Sequence, residues 1–260
     1  MLLLGNLVLS VSGKGGTGKT TLVALLLKIL TEENDGPVLA VDADPATNLP
    51  NVLGVQIQRT VGDVEKELRD KIQKGAISPD VSKKDLLEAW VYNTLVETEK
   101  FDLLAMGRSE GEGCYCSINY LLTQIIDAIS NNYNITLMDM EAGLEHLSRR
   151  TDRDVDIMLV TTDGSNMAFE TALRIRELTK EVRIELKRIC LVGMQITPEK
   201  EAILKKKAAD NSYELISVIP FDSSVSTFNT TGRPLLGLPR DSPSVVRARE
   251  IISNLELMRK

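Results

Sequence analysis

Gly13-Lys14-Gly15-Gly16-Thr17-Gly18-Lys19-Thr20 is the stretch that decides the fold of this 260-residue chain. It satisfies the pattern G-x-x-x-x-G-K-T, with the apolar run Leu7–Val11 directly before it and helical periodicity over Lys19–Glu33 directly after it. Strand, glycine-rich turn and helix in that order form an anion cradle: the glycines let backbone N–H groups converge, and the helix adds the positive end of its dipole. In such a cradle Lys19 supplies a mobile charge for the β- and γ-phosphates and the Thr20 hydroxyl is placed to hold Mg²⁺, so the expected triphosphate site runs from Gly13 to Thr21. A turn that merely joined strand to helix would need neither the lysine nor the threonine.

Outward from the loop, apolar and β-branched runs at Val38–Val41, Phe101–Met106, Ile135–Met140, Ile157–Thr161, Ile189–Ile196 and Leu215–Ile219 read as further strands. Helical spacing falls between them at Ser117–Asn131, Met167–Val182 and Glu199–Ala209. Near-continuous hydrophobic strands alternating with helices predict an α/β fold: a three-layer P-loop NTPase sandwich whose mostly parallel central sheet, of about seven to eight strands, is covered on both faces. A single domain over residues 1–260 accommodates all of these elements. The more charged stretch from Thr60 to Thr98 reads as a helical excursion within it. Asp241-Ser242-Pro243 opens a C-terminal helix over residues 242–258, whose apolar Val245, Val246, Ile251, Ile252, Leu255 and Met258 predict docking on the sheet.

Composition removes several classes of partner. With 31 Lys and Arg against 37 Asp and Glu, the net charge is −6, and the signs are mixed along the chain, so no basic field is present to hold nucleic acid or anionic lipid. Charges or turn residues interrupt every apolar run well before the roughly 20 residues needed to span a bilayer. Met1-Leu2-Leu3-Leu4 lacks a basic region before it and is cut by Gly5-Asn6, so it reads as the lead-in to the first strand and not as a signal peptide. Three cysteines make no disulfide framework, and a reducing cytoplasmic setting suits them better.

Lys14 narrows the reading. Lys-Gly-Gly-Thr-Gly-Lys-Thr over residues 14–20 resembles the deviant Walker A motif of the family that includes bacterial division-site and plasmid-partition ATPases, nitrogenase iron protein and metal-centre maturation ATPases. The resemblance implies an ATPase in which Lys14 reaches the nucleotide of a second copy, giving an ATP-closed homodimer with ATP or ADP and Mg²⁺ as its ligands. It also implies roles for two acidic segments at strand ends. In Asp42-Ala43-Asp44-Pro45, Asp44 would orient the attacking water and Asp42 would lie near the Mg²⁺ shell. Asp139-Met140-Glu141-Ala142-Gly143 matches D-x-x-x-G, so Asp139 would contact the Mg²⁺ shell and the Gly143 N–H would sense the γ-phosphate. Together with Lys14 and Lys19, Asp44 completes the expected catalytic set. On the base side, relatives place an asparagine where this chain has Gln195, which offers a similar donor and acceptor, and Pro220-Phe221-Asp222 is the other candidate loop. ATP over GTP therefore comes from the resemblance and not from these residues.

Gly113-Cys114-Tyr115-Cys116 precedes an expected helix, a setting that favours thiolates able to meet one soft metal ion. Two ligands are half of a tetrahedral site, and a two-fold dimer would supply the other half. The run from Met106 to Cys116 with Asn119, and Asp139-Met140-Glu141-Ala142-Gly143-Leu144-Glu145-His146-Leu147, resemble a narrower family: ATPases that insert nickel into carbon monoxide dehydrogenase or acetyl-CoA synthase. The resemblance implies Ni²⁺ or Zn²⁺ between the Cys114/Cys116 pairs of two subunits, one of those enzymes as client, and for His146 a relay of nucleotide state or a transient ligand. Cys190, in an apolar strand, reads as a core residue. Two other readings stand beside this one: an iron–sulfur redox ATPase like nitrogenase iron protein, and a positioning ATPase that assembles on membrane or DNA.

Overall fold

The computed structural model describes residues 7–34, 36–78, 80–108, 124–141, 155–181 and 186–257. The chain begins with β1 (Leu7–Gly13), α1 (Lys19–Glu33), β2 (Val38–Asp42) and a short α2 (Leu49–Leu53). It continues through α3 (Val61–Gln73), α4 (Lys83–Tyr92), β3 (Val96–Glu97) and β4 (Asp102–Ala105), after which residues 124–130 are helical (α5). Then come β5 (Ile135–Asp139), β6 (Ile157–Thr162), α6 (Asn166–Glu181), β7 (Arg188–Met194), α7 (Pro198–Asp210) and β8 (Leu215–Ile219). The last helices are α8 (Ser223–Thr231), a 3₁₀ turn at Leu235–Gly237, and α9 (Pro243–Asn254).

The strands form one sheet in the order β3-β4-β2-β5-β1-β6-β7-β8, parallel except for β3. Residues of β1, β2, β5 and β6 are buried almost throughout, so alternate side chains feed two cores. Leu9, Val11, Leu137 and Leu159 pack with α1 and α9 on one face, while Val8, Val41, Met138 and Val160 pack with α3, α4 and α6 on the other. α1 is buried without a break from Leu22 to Leu30, because it lies between the sheet and α9. Lys28, buried midway along it, pairs with Glu32 at 2.6 Å and donates to the Leu236 carbonyl at 2.8 Å. Parallel strands threaded through α1 in this way put the C-terminal ends of β1, β2, β5 and β6 on one edge, where the loops gather.

Some expectations need correction in detail. The stretch from Thr60 to Thr98 is not wholly helical: after α3 and α4 it pairs Val96 with Leu103 and Glu97 with Asp102 as the antiparallel edge of the sheet. Two residues are too few to show strand alternation, which is why this element was not visible in the sequence. Phe101 and Met106 flank β4 instead of belonging to it, and β7 stops at Met194 because Gln195 takes a left-handed conformation with φ 55°. α9 rests on α1 as well as on β8. Val246 is exposed on its outer side, and Met258 lies outside the described residues.

Candidate nucleotide site

The phosphate loop leaves β1 at Gly13 and enters α1 through Gly18, which holds φ 87°. No side chain caps that helix end, so its first N–H groups remain available to a ligand. A Cβ added at Gly15 or at Gly16 would meet nothing within 4 Å: the crest of the loop is an open cradle. Lys19 is buried just behind it, while Lys14 is half-buried at the crest. Thr17 closes the turn, its N–H reaching the Lys14 carbonyl at 3.2 Å and its hydroxyl reaching the same oxygen at 2.7 Å.

Beside the loop, the register of β2 on β5 sets Asp42 opposite Asp139, with Val11 of β1 opposite Asp139 on the other side. Asp42 is fully buried and braces the loop after β2, accepting from the Asp44 N–H at 3.1 Å and from the Leu49 N–H at 2.9 Å. Asp44 sits on that loop, half-buried, and accepts from the Ala46 N–H at 2.9 Å. Asp139 differs: it is 1% exposed, yet neither carboxylate oxygen has a hydrogen-bond partner among the described residues. Thr20 lies near enough to favour its charged form without reaching hydrogen-bonding geometry. Burial is the main reason that the Asp139 carboxyl is pushed up to about 7, with Asp42 and Asp44 adding repulsion and Lys19 and Thr20 opposing it. Burial likewise raises Asp42 to about 6, against the two N–H bonds that it accepts.

Three acids therefore share one region with Lys19, and one of them is a buried carboxylate whose two oxygens have no partner among the described residues. Such a residue is strongly disfavoured unless a cation meets it. The oxygen donors fit Mg²⁺, a hard cation that binds one or two carboxylates and keeps water and phosphate oxygens for the rest of its shell. Consistent with that partial shell, no three Asp, Glu, His or Cys side chains among the described residues form a ready-made cage.

Behind the loop, a pocket of about 190 Å³ is lined by Thr21 of α1, by Met194 and Gln195 after β7, by Pro220 and Phe221 after β8, and by Asn229 of α8, among others. It gathers Thr21, Gln195 and Pro220, which lie far apart in sequence, at the same helix end as the cradle. Asp222 belongs to its lining as well, accepting from the Ser224 N–H at 2.9 Å, the Ser244 N–H at 3.0 Å and the Ser242 hydroxyl. Burial disfavours its charge, but these three donors more than offset that and hold its carboxyl below the usual range.

Cys114, Cys116, Asn119, Gly143 and His146 lie outside the described residues. Cys190 is fully buried in β7, and burial pushes its thiol up to about 12. Sequence reasoning missed Asn229 of the pocket wall and Thr161, whose hydroxyl lies 2.6 Å from that of Thr17 in the phosphate loop. Asn229 follows no strand and belongs to no motif, and Thr161 reads as one more β-branched strand residue. No helix among the described residues is long and apolar enough to cross a membrane.

Residues 8–235 match the CobQ/CobB/MinD/ParA nucleotide binding domain. An uncharacterized ATP-binding protein of Methanocaldococcus jannaschii is 41% identical over 249 residues, covering 96% of this chain and 98% of its own. The carbon monoxide dehydrogenase accessory protein CooC of Rhodospirillum rubrum is 29% identical over 233 residues, covering 86% and 87%. Among solved structures, the MinD cell division protein of Aquifex aeolicus superposes with a TM-score of 0.70 at 20% identity, covering 98% of each chain, which shows a shared fold.

Proposed function

The chain belongs to the CobQ/CobB/MinD/ParA family of nucleotide-binding domains and is an ATPase of that family, and from this premise we propose that its ATP cycle delivers nickel to carbon monoxide dehydrogenase or acetyl-CoA synthase. The observation that carries the reading is likeness to a carbon monoxide dehydrogenase accessory protein over 86% of the chain, in a sequence that also holds the close thiol pair Cys114 and Cys116.

In this reading the open cradle at Gly15 and Gly16 takes the phosphates, Lys19 balances the β- and γ-phosphate charge, and Thr20 and Asp139 hold Mg²⁺. Mg²⁺ held by these residues would supply charge neutralisation on the phosphate oxygens. Asp42 keeps the following loop in place so that Asp44 can orient the attacking water, and the pocket at Gln195 and Pro220 receives the base. The loop crest is exposed at Gly15 and Gly16, which suits Lys14 to reach the nucleotide of a second copy. Closure would bring two Cys114/Cys116 pairs around one metal ion, and hydrolysis would reopen the pair for release. The nucleotide can move the metal only if its affinity differs between the closed and open states.

Equilibrium dialysis against Ni²⁺ and Zn²⁺ under reducing conditions, with ATP, with ADP and without nucleotide, tests this. One metal per two chains, dependent on nucleotide and lost in C114A/C116A, is expected; stoichiometric metal in the double variant contradicts the reading. A positioning ATPase on lipid or DNA is less favoured, because the arginines of α9 are neutralised within the chain: Arg247 pairs with Glu250 at 2.8 Å and Arg249 with Glu33 at 2.6 Å.

A further inference from the structure

Lys14 is anchored through its backbone, and the anchor leads out of the phosphate loop into the sheet. The Thr17 hydroxyl lies 2.7 Å from the Lys14 carbonyl oxygen and 2.6 Å from the hydroxyl of Thr161 at the end of β6. Thr161 also lies 3.2 Å from the Ser12 carbonyl oxygen. Both threonines are almost wholly shielded from water, at 3% and 0% exposure.

Two hydroxyl protons thus face two carbonyls and each other. A carbonyl can only accept, and the distances of 2.6 and 2.7 Å are near the usual O–H···O separation whereas 3.2 Å lies beyond it. The direction follows: Thr161 donates to the Thr17 hydroxyl, and Thr17 donates to the Lys14 carbonyl. If Thr161 instead gave its proton to Ser12, Thr17 would have to choose between Thr161 and Lys14, and one short contact would be left without a proton. The relay also has no slack on its sheet side. Thr161 is registered opposite Gly13, and a Cβ at Gly13 would stand 2.4 Å from the Thr161 hydroxyl oxygen and 2.7 Å from its carbonyl oxygen.

We propose that Thr161 is a positioning residue for Lys14, fixing the crest of the phosphate loop to β6 through the Thr17 hydroxyl. The inference rests on the reading that Lys14 takes part in hydrolysis. T161V keeps the shape of the side chain but removes the donor, so the loop still folds and Thr17 still reaches the Lys14 carbonyl, while the tie that fixes this turn to β6 is lost. Nucleotide binding, which draws on Lys19 and the helix end, is expected to change little.

The test is steady-state ATP hydrolysis by T161V, T161S, K14A and T161V/K14A, together with ADP affinity. T161V is expected to lower kcat by about tenfold while ADP affinity stays within about threefold, as the loss of one buried hydrogen bond at a positioning group implies. T161S should recover to within about twofold of the wild type, and T161V should add less than about twofold to K14A because both act through one group. Wild-type kcat in T161V overturns the inference, as does a T161S variant as slow as T161V, which would assign the effect to methyl packing. A full tenfold effect of T161V on top of K14A also overturns it. Wild-type kcat in K14A would remove the catalytic reading of Lys14 and the inference with it, whereas a slow K14A beside an unimpaired T161V removes the inference alone. Should circular dichroism show T161V unfolded, T17V cuts the same relay from the loop side: a comparable loss of kcat supports it, and wild-type kcat contradicts it.

Discussion

At Asp139, burial and charge pull against each other. An ordinary aspartate ionises near 3.9, but here burial raises Asp42 to about 6 and Asp139 to about 7. Between those values the folded chain keeps protons that the unfolded chain has released. The stability contributed by these two groups is therefore fully present below about pH 4 and is lost as pH rises toward 7. D139N should flatten that fall and stabilise the nucleotide-free protein at pH 8, by on the order of 1–4 kcal/mol in denaturant titrations. The same substitution removes the carboxylate proposed to meet Mg²⁺, so hydrolysis should drop by about 100-fold or more. A D139N variant that is less stable at pH 8, or that hydrolyses normally, would show that Asp139 is not an unpaired charge waiting for a cation. Gly13 gives a second residue-scale prediction. At φ 143° and against the Thr161 carbonyl there is no space for a methyl group, so G13A should cost more than about 2 kcal/mol in thermal or chemical denaturation.

Asp222 joins two elements, since its carboxylate caps the first turns of both α8 and α9. D222A should lower stability by about 1–3 kcal/mol, the combined loss of two caps. Because Pro220 and Phe221 precede it in the pocket wall, the thermal shift produced by ADP should shrink as well; an unchanged shift would separate the cap from the pocket. At this scale the strands and helices around the loop were legible because long, buried elements impose hydrophobic runs on the sequence: α1 falls on Lys19–Glu33 and β8 on Leu215–Ile219, as their patterns predict. β3 and α2 were not, being two and five residues long and held by their neighbours more than by their own composition. The cradle was nameable from its spacing, and Asp42, Asp44 and Asp139 from the resemblance that Lys14 opened, but their arrangement was not. That Asp42 spends its oxygens on backbone N–H groups while Asp139 finds no partner among the described residues depends on loop geometry that no pattern encodes. Thr161 stayed hidden for the same reason, as its hydroxyl matters only once β6 lies beside β1.

For the whole molecule, the sheet order brings the ends of β1, β2, β5 and β6 to one edge, and the exposed loop crest lies there as well. The net charge of −6 works against the pairing of two copies, so the proposed closure would draw on the nucleotide and on Lys14. Closure should consequently weaken with rising salt, and it should require ATP. The most direct test is light scattering of D44A, in which hydrolysis is expected to be blocked, with ATP, with ADP and in the K14A/D44A double variant. A mass of twice 28.7 kDa with ATP only, reverting to 28.7 kDa in the double variant, is the predicted result. A mass that is the same with either nucleotide, or unchanged by loss of Lys14, would contradict an ATP-closed dimer reached by Lys14.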